Sequence, residues 1–170
     1  METTLAVFTL QFCFNVVVYT MIIVWFVIPR LRHASVHNAL TPLLFPHAMR
    51  CLGLTYLVPI VTDASIPIVF SRTTAFGDFV AAGLALVSIL GLRYLPKTGR
   101  HDLSIPMVWI SNSAGLVDLV ITFTLAFKVE ILNYQLSSLW FVPSFVVPGL
   151  IVTHLTIFWI LWKHYHGKWR

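Results

Sequence analysis

Long apolar runs separated by short polar connections dominate this chain of 170 residues. Five runs each have about the 20 residues that an α-helix needs to cross about 30 Å of hydrocarbon. The runs are Thr4–Ile28, Asn38–Thr62, Phe76–Leu95, Pro106–Phe127 and Trp140–Lys163. The pattern therefore predicts an all-α integral membrane protein, with five transmembrane helices that form one domain over residues 1–170.

Basic residues fall on alternate connections between these runs. The connections on one side carry only Arg72 and Lys128, whereas eight of the eleven lysines and arginines lie at or after the end of the first, third or fifth run. Short connections rich in Lys and Arg stay in the cytoplasm. We therefore expect the N-terminus outside, the C-terminus in the cytoplasm and a location in the inner (plasma) membrane. The eight residues are Arg30, Arg32, Arg93, Lys97, Arg100, Lys163, Lys168 and Arg170.

The composition agrees with a membrane protein and removes one class of partner. Hydrophobic residues make up 58% of the chain and charged residues only 10%, whereas charged residues make up about a quarter of an ordinary soluble domain. The formal net charge of +5 comes from the predicted cytoplasmic connections, so it indicates topology and contact with anionic lipid headgroups. The lipid bilayer is the expected partner, and nucleic acid is not.

One connection on the predicted outer side contains apolar residues. Between Asp63 and Ala75, the residues from Ile66 to Phe70 are apolar, which favours a re-entrant turn or an interfacial segment on the outer leaflet over a lid above a pocket. Asp78 follows near the predicted start of the third helix. We expect its carboxylate to accept hydrogen bonds at that helix N-terminus.

Ionisable residues inside a bilayer are rare and usually face the interior of a bundle or a water-filled cavity. On the second helix, the spacing of His47, Arg50, Cys51 and Leu54 predicts one shared face. Residues of the fourth and fifth helices lie at a similar predicted depth. We therefore expect a polar pocket that opens toward the cytoplasmic half, with the candidate residues His47, Arg50, Asn112, Asp118, His154, Asn15 and Ser111.

The fifth run contains Pro143 and Pro148. Proline has no N–H, so Pro148 leaves the carbonyl near Ser144 without its usual partner in the helix. Freed carbonyls in membrane helices often line cavities. We expect this carbonyl to lie near the polar pocket.

Three functional interpretations of the polar cluster compete. In the first, the pocket binds or translocates a small polar or anionic solute, or relays protons. In the second, His47 and His154 are the axial ligands of a haem b in an electron-transfer protein. In the third, the chain is a structural subunit of a larger membrane complex or of a homo-oligomer, where an Arg50–Asp118 pair only locks two helices together.

The sequence offers little support for an enzyme. It contains no GxSxG, no HExxH and no glycine-rich phosphate loop. His47, Cys51 and His154 form only a weak set of metal ligands, so we expect no metal. The first interpretation, a pocket for a solute or protons, is therefore favoured.

Two stretches of sequence look familiar: HAMRCLGLTYLVPIV with the following FGDFVAAGLAL, and WFVPSFVVPGLIVTHLTIFWILWK near the C-terminus. They resemble an uncharacterised group of small bacterial multi-pass membrane proteins. The resemblance implies no activity, cofactor or substrate. The positions that carry it are His47, Arg50, Gly53, Asp78, Pro143, Pro148 and His154.

Overall fold

The computed structural model of the chain describes residues 2–95 and 102–169. This part of the chain is all-α, as predicted, and forms five long helical segments and one short 3₁₀ turn, Ile131–Asn133. Helices α1, α3, α4 and α5 are long and apolar enough to cross a membrane. Lys97, Arg100 and Arg170, on which part of the charge pattern depends, lie outside the described residues. The segments are α1 (Glu2–Leu31), α2 (Val36–Ala48, continued by a 3₁₀-helix over Met49–Leu57), α3 (Ile68–Tyr94), α4 (Ser104–Lys128) and α5 (Ser137–Tyr165).

Prolines set the irregular turns of α1 and α5. A π-helical turn, Ile23–Val27, precedes Pro29 in α1, and a second one, Val142–Val146, precedes Pro148 in α5. Each proline removes one backbone donor, and the widened turn adjusts the helix to that loss. The carbonyl oxygen of Ser144 accepts a hydrogen bond from Asn15 Nδ2 at 2.9 Å. The carbonyl that Pro148 frees therefore joins α5 to α1, and the expectation that it lies at the polar pocket is wrong.

Helix α3 begins at Ile68 rather than at the predicted Phe76. Pro67 occupies the cap position, where its fixed backbone angle suits a helix start. Phe70 is buried and packs edge-on against Tyr56, with ring centroids 5.5 Å apart. The apolar residues up to Phe70 therefore lead into the first turn of α3, and the predicted re-entrant or interfacial segment is wrong.

Helix α2 lies at the centre of the bundle and packs against both α3 and α5. Its first half buries an apolar face that includes Leu40 and Leu44, in one cluster with Leu92 of α3 and Ile157 of α5. Helix α1 lies at the edge, and its segment Glu2–Ile22 buries no residue. In a bilayer, lipid chains are as apolar as this surface, so exposure of α1 to lipid carries no hydrophobic penalty.

The second half of α2 changes its helical period. From Met49 to Leu57 the backbone is a 3₁₀-helix, in which residues three apart are aligned. Arg50, Gly53 and Tyr56 are accordingly the buried residues of this segment, and Cys51 is exposed. The predicted face of His47, Arg50, Cys51 and Leu54 is therefore wrong, because it assumed an α-helical period throughout.

Candidate functional site

The Arg50 side chain lies inside the bundle, with 1% of its surface exposed, and joins three helices. Its Nε donates to Asp78 Oδ1 on α3 at 2.8 Å, and Nη2 lies 2.8 Å from the same oxygen. Nη2 also donates to Asp118 Oδ2 on α4 at 2.5 Å, and Nη1 donates to the carbonyl oxygen of Gly115 at 2.9 Å. A guanidinium has five N–H donors, so these contacts engage most of them. We call Arg50, Asp78 and Asp118 the charged cluster.

Glycines allow the helices to approach the charged cluster closely. A Cβ atom at Gly53 would overlap the carboxylate of Asp78, and one at Gly77 would overlap that of Asp118. At Gly115, a Cβ atom would lie 2.9 Å from His154 Cε1 and 3.1 Å from Arg50 Nη1. A larger residue at Gly53 or Gly77 would displace a carboxylate that pairs with Arg50, and one at Gly115 would press on His154 and on Arg50 itself.

Asp78 is a member of the site that the sequence analysis assigned elsewhere. It lies inside α3, about 15 Å from the helix start at 1.5 Å per residue, and not at the helix N-terminus. The error follows from the predicted start at Phe76. The apolar stretch from Ile66 to Phe70 was the available signal, because its inclusion in α3 moves Asp78 to the depth of Arg50.

His47 and His154 lie beside Arg50, with ring centroids 4.0 Å apart and ring planes inclined by 50°. His47 Nε2 lies 3.0 Å from Thr153 Oγ1, whose hydroxyl donates to backbone carbonyls, so His47 is the donor in that bond. His154 Nδ1 lies 2.7 Å from Asn112 Oδ1 and donates to it, while Asn112 Nδ2 donates to the carbonyl oxygen of His154 at 3.2 Å. His47 Nδ1 and His154 Nε2 are buried without a hydrogen-bond partner.

The histidine pair does not fit the axial ligation of a haem. Axial ligands bind the iron from opposite faces of the porphyrin, so the macrocycle has to lie between the two rings. The rings of His47 and His154 contact each other instead. The three weak candidate metal ligands, His47, Cys51 and His154, do not come together either, because Cys51 is exposed. Within residues 2–95 and 102–169, no group of three or more His, Cys, Asp or Glu residues could hold a metal ion.

A cavity of about 380 Å³ lies against the charged cluster. Its walls are mostly apolar and come from the first half of α3, the second half of α4 and the first half of α5, together with parts of α1 and α2. These wall segments lie in the half of the bundle opposite to the predicted cytoplasmic half. The prediction that the pocket opens toward the cytoplasmic half is therefore wrong. The apolar walls include Tyr19, Phe70, Leu119, Phe123, Val146 and Leu150.

One end of this cavity is polar. Arg50, Asp78, Thr74, Thr122 and Thr153 line it. The hydroxyl groups of Thr74 and Thr122 are buried without a hydrogen-bond partner, and Thr74 is only 3% exposed. Buried hydroxyls normally have partners. Both oxygens are fully buried, so they lie within the wall of the cavity and not on its open surface.

Two of the predicted pocket residues lie outside the site. Asn15 bonds the Ser144 carbonyl between α1 and α5, as described above. Ser111 Oγ accepts a hydrogen bond from Ser88 Oγ at 3.0 Å, which joins α4 to α3. His47, Arg50, Asn112, Asp118 and His154 do come together around the charged cluster, and Asp78 joins them.

A second cavity, of about 530 Å³, lies at the opposite end of the bundle. His37 Nε2 and Asp102 Oδ2 lie 2.9 Å apart there. Burial raises the pKa of Asp102, but hydrogen bonds from Ser104 and His37 outweigh this effect and hold the pKa below its ordinary value. The contact fastens the start of α4 to α2. Trp109, His164 and Tyr165 complete much of the wall.

Comparisons with known proteins agree with the resemblance noted from the sequence. A family model described as "Domain of unknown function (DUF8737)" matches residues 7–162. No curated protein and no solved structure matched the chain. The chain therefore belongs to an uncharacterised family, and the family description assigns no activity.

Proposed function

Because this chain is a member of the DUF8737 family, its function has to be inferred from the site, and we propose that it is a multi-pass membrane protein that binds or translocates a small solute or protons through the cavity beside Arg50. The observation that carries the proposal is the polar end of this cavity. The charged side chains of Arg50 and Asp78 border a space with mostly apolar walls. A polar solute could pair with the Asp78 carboxylate oxygen that Arg50 leaves free, and a carboxylate oxygen is costly to bury unpartnered.

A purely structural role of the Arg50 salt bridges explains fewer features of the site. Pairing of Arg50 with Asp78 and Asp118 would hold three helices together. It would not explain why a cavity adjoins these side chains. Close-packed helices would fill this space with side chains. Solute binding accounts for both the salt bridges and the cavity beside them.

The contacts of Arg50 narrow the range of solutes. Its donors are engaged by two carboxylates and a backbone carbonyl, so few remain for an anionic solute. The nearby carboxylates would also repel an anion. Neutral hydrogen-bonding solutes, cations and protons therefore fit the site better than the anionic solute that the sequence also suggested.

We further propose that α2 is the fifth span, with the N-terminus outside, the C-terminus in the cytoplasm and the protein in the inner membrane. The α-helical part of α2 has 13 residues and is about 20 Å long, and the nine residues of its 3₁₀ part add about 18 Å. Together they exceed the roughly 30 Å of the hydrocarbon core. Polar residues such as His47 and Arg50 make α2 less apolar than the other helices, but they face the bundle and not lipid.

Thiol labelling of the cavity tests the proposed function. Thr122→Cys would be made in a chain that carries Cys13→Ala and Cys51→Ala, and treated with the small neutral reagent methyl methanethiosulfonate. We expect it to react readily, as detected by mass spectrometry. Ile157→Cys is the matched control, because Ile157 is fully buried in the apolar core and a cysteine there should stay unmodified. Equal protection of both cysteines would contradict a solute-accessible cavity.

A further inference from the structure

The charged cluster contains one positive group and two carboxyl groups. Arginine stays protonated in proteins, so the cluster has a net charge of −1 when Asp78 and Asp118 are both ionised. Among the described residues, Arg50 is the only Lys or Arg in a salt bridge with either of them. An unbalanced charge is costly in the interior of a membrane protein. The cluster therefore requires one further positive charge, which a proton or a cationic ligand can supply.

From this imbalance we propose that the cavity binds the ammonium end of an amphipathic amine, and that the amine and a proton occupy the charged cluster in alternation. The proposal rests on the proposed solute-binding function and names its ligand class. The site offers a suitable acceptor, because Arg50 contacts only the Oδ1 atom of Asp78. The other oxygen of this carboxylate, whose side chain is partly exposed and lines the cavity, can accept a hydrogen bond from an ammonium group.

The walls of the cavity suit the rest of such a molecule. They include the aromatic rings of Tyr19, Tyr56, Phe70 and Phe123, and aromatic faces attract cations as well as apolar groups. The volume of about 380 Å³ lies in the range of pockets for small organic ligands. An apolar body with one cationic end therefore matches both the walls and the polar end.

The exchange with a proton follows from the charge balance. Without amine, one proton on a carboxyl group makes the cluster neutral. The other titratable groups that face the cluster are Tyr56, His47 and His154. The two histidines lie beside the positive guanidinium, so the neutralising proton belongs on a carboxyl group. When a charged ammonium ion enters, both carboxylates are ionised and one proton leaves, with no covalent bond made or broken in the ligand.

Calorimetry with three ligands of equal shape tests the proposal. The full chain in detergent is titrated at pH 7 with 4-phenylbutylamine, 4-phenylbutan-1-ol or 4-phenylbutanoate. We expect the amine to bind at least roughly tenfold more tightly than the alcohol, and the acid to bind most weakly. In buffers with different ionisation enthalpies, the heat should reveal release of nearly one proton per bound amine and none for the alcohol.

The possible outcomes separate the two proposals. Alcohol or acid binding as tight as amine binding would overturn the ligand class and leave the solute-binding function standing. Amine binding without proton release would overturn the alternation. Failure of all three ligands to bind would contradict the amine proposal, whereas the labelling of Thr122→Cys tests the cavity itself without any of these ligands.

Substitution of a carboxylate gives an independent test. Asp78→Asn keeps the size of the side chain and removes one negative charge, so the preference for amine over alcohol should fall to about one, without proton release. Asp118→Asn should have the same effect, and it provides the test if Asp78→Asn does not fold. Asp63→Asn in the connection before α3 is the control and should keep both properties. A tenfold preference that persists in the folded Asp78→Asn or Asp118→Asn variant would overturn the proposal.

Discussion

Arg50 and Asp78 share a two-donor contact in which Nε and Nη2 of the arginine both lie 2.8 Å from one carboxylate oxygen, Oδ1. This contact joins the 3₁₀ part of α2 to the middle of α3. Asp118 contacts only Nη2 of the same guanidinium. Removal of the arginine therefore leaves two carboxylates without a partner, whereas removal of either carboxylate leaves one ion pair.

The charged cluster predicts an unequal response to neutralisation. Arg50→Met should lower the free energy of unfolding by about 3–5 kcal/mol, the cost of a broken buried pair in soluble proteins. Asp118→Asn should cost less, because Asp78 still pairs with Arg50. The double variant Arg50→Met with Asp118→Leu should recover little, and addition of Asp78→Leu should recover much of the loss. Thermal unfolding in detergent measures all four, and full recovery in the double variant would show that Asp78 does not belong to the cluster.

Two glycines of α3 provide a matched pair of substitutions. Gly77→Ala should destabilise the protein, because the new Cβ atom would displace the Asp118 carboxylate from Arg50. Gly83→Ala meets no atom within 4 Å and should be neutral, or stabilising by up to about 1 kcal/mol through helix propensity. Melting temperatures of the two variants in the same detergent provide the measurement. A similar change in both would mean that α3 and α4 do not approach closely at Gly77.

The hydrogen bond between α1 and α5 can be tested separately. Asn15→Leu should lower the free energy of unfolding by about 1–3 kcal/mol, because the Ser144 carbonyl loses its donor in an environment without water. Thr20→Val on the same helix is the control, since the Thr20 hydroxyl bonds only the Val16 carbonyl of its own helix. Equal stability of the two variants in thermal unfolding would argue against the contact.

Asp63 predicts a pH dependence in the connection before α3. Its Oδ1 accepts hydrogen bonds from the hydroxyl and the N–H of Ser65, and its Oδ2 accepts one from the Gln135 N–H. These bonds hold the pKa of Asp63 below its ordinary value of 3.8. Their stabilising effect is therefore complete above pH 3.8 and is lost as the pH falls through the lowered pKa of the folded protein. Asp63→Asn should melt at a lower temperature than wild type at neutral pH, and this gap should narrow in melts below pH 3.8. A gap that stays constant with pH would contradict the contribution of this carboxylate.

The sequence predicted the helices because apolar runs of membrane length are a strong signal, and depth counting brought together Arg50, Asp118 and His154. It could not reveal that α2 changes to a 3₁₀ period after Ala48, because that change depends on packing against α3. Asp78 was assigned to a helix end because the apolar residues from Ile66 to Phe70 were interpreted as a re-entrant turn or an interfacial segment. The side of the bundle that contains the cavity depends on how side chains pack, which the order of residues along single helices does not specify.

Occupancy of the cavity beside Arg50 is tested most directly by protection of Thr122→Cys. In the background with Cys13→Ala and Cys51→Ala, its reaction with methyl methanethiosulfonate is followed with and without 4-phenylbutylamine. At ten times the dissociation constant, bound amine should slow the reaction roughly tenfold, while Ser65→Cys in the exposed connection before α3 should react at an unchanged rate. An amine-independent rate at Thr122→Cys, or equal slowing at both positions, would contradict an amine site beside Arg50, whereas Thr122→Cys that stays unmodified without amine would contradict the solute-accessible cavity itself.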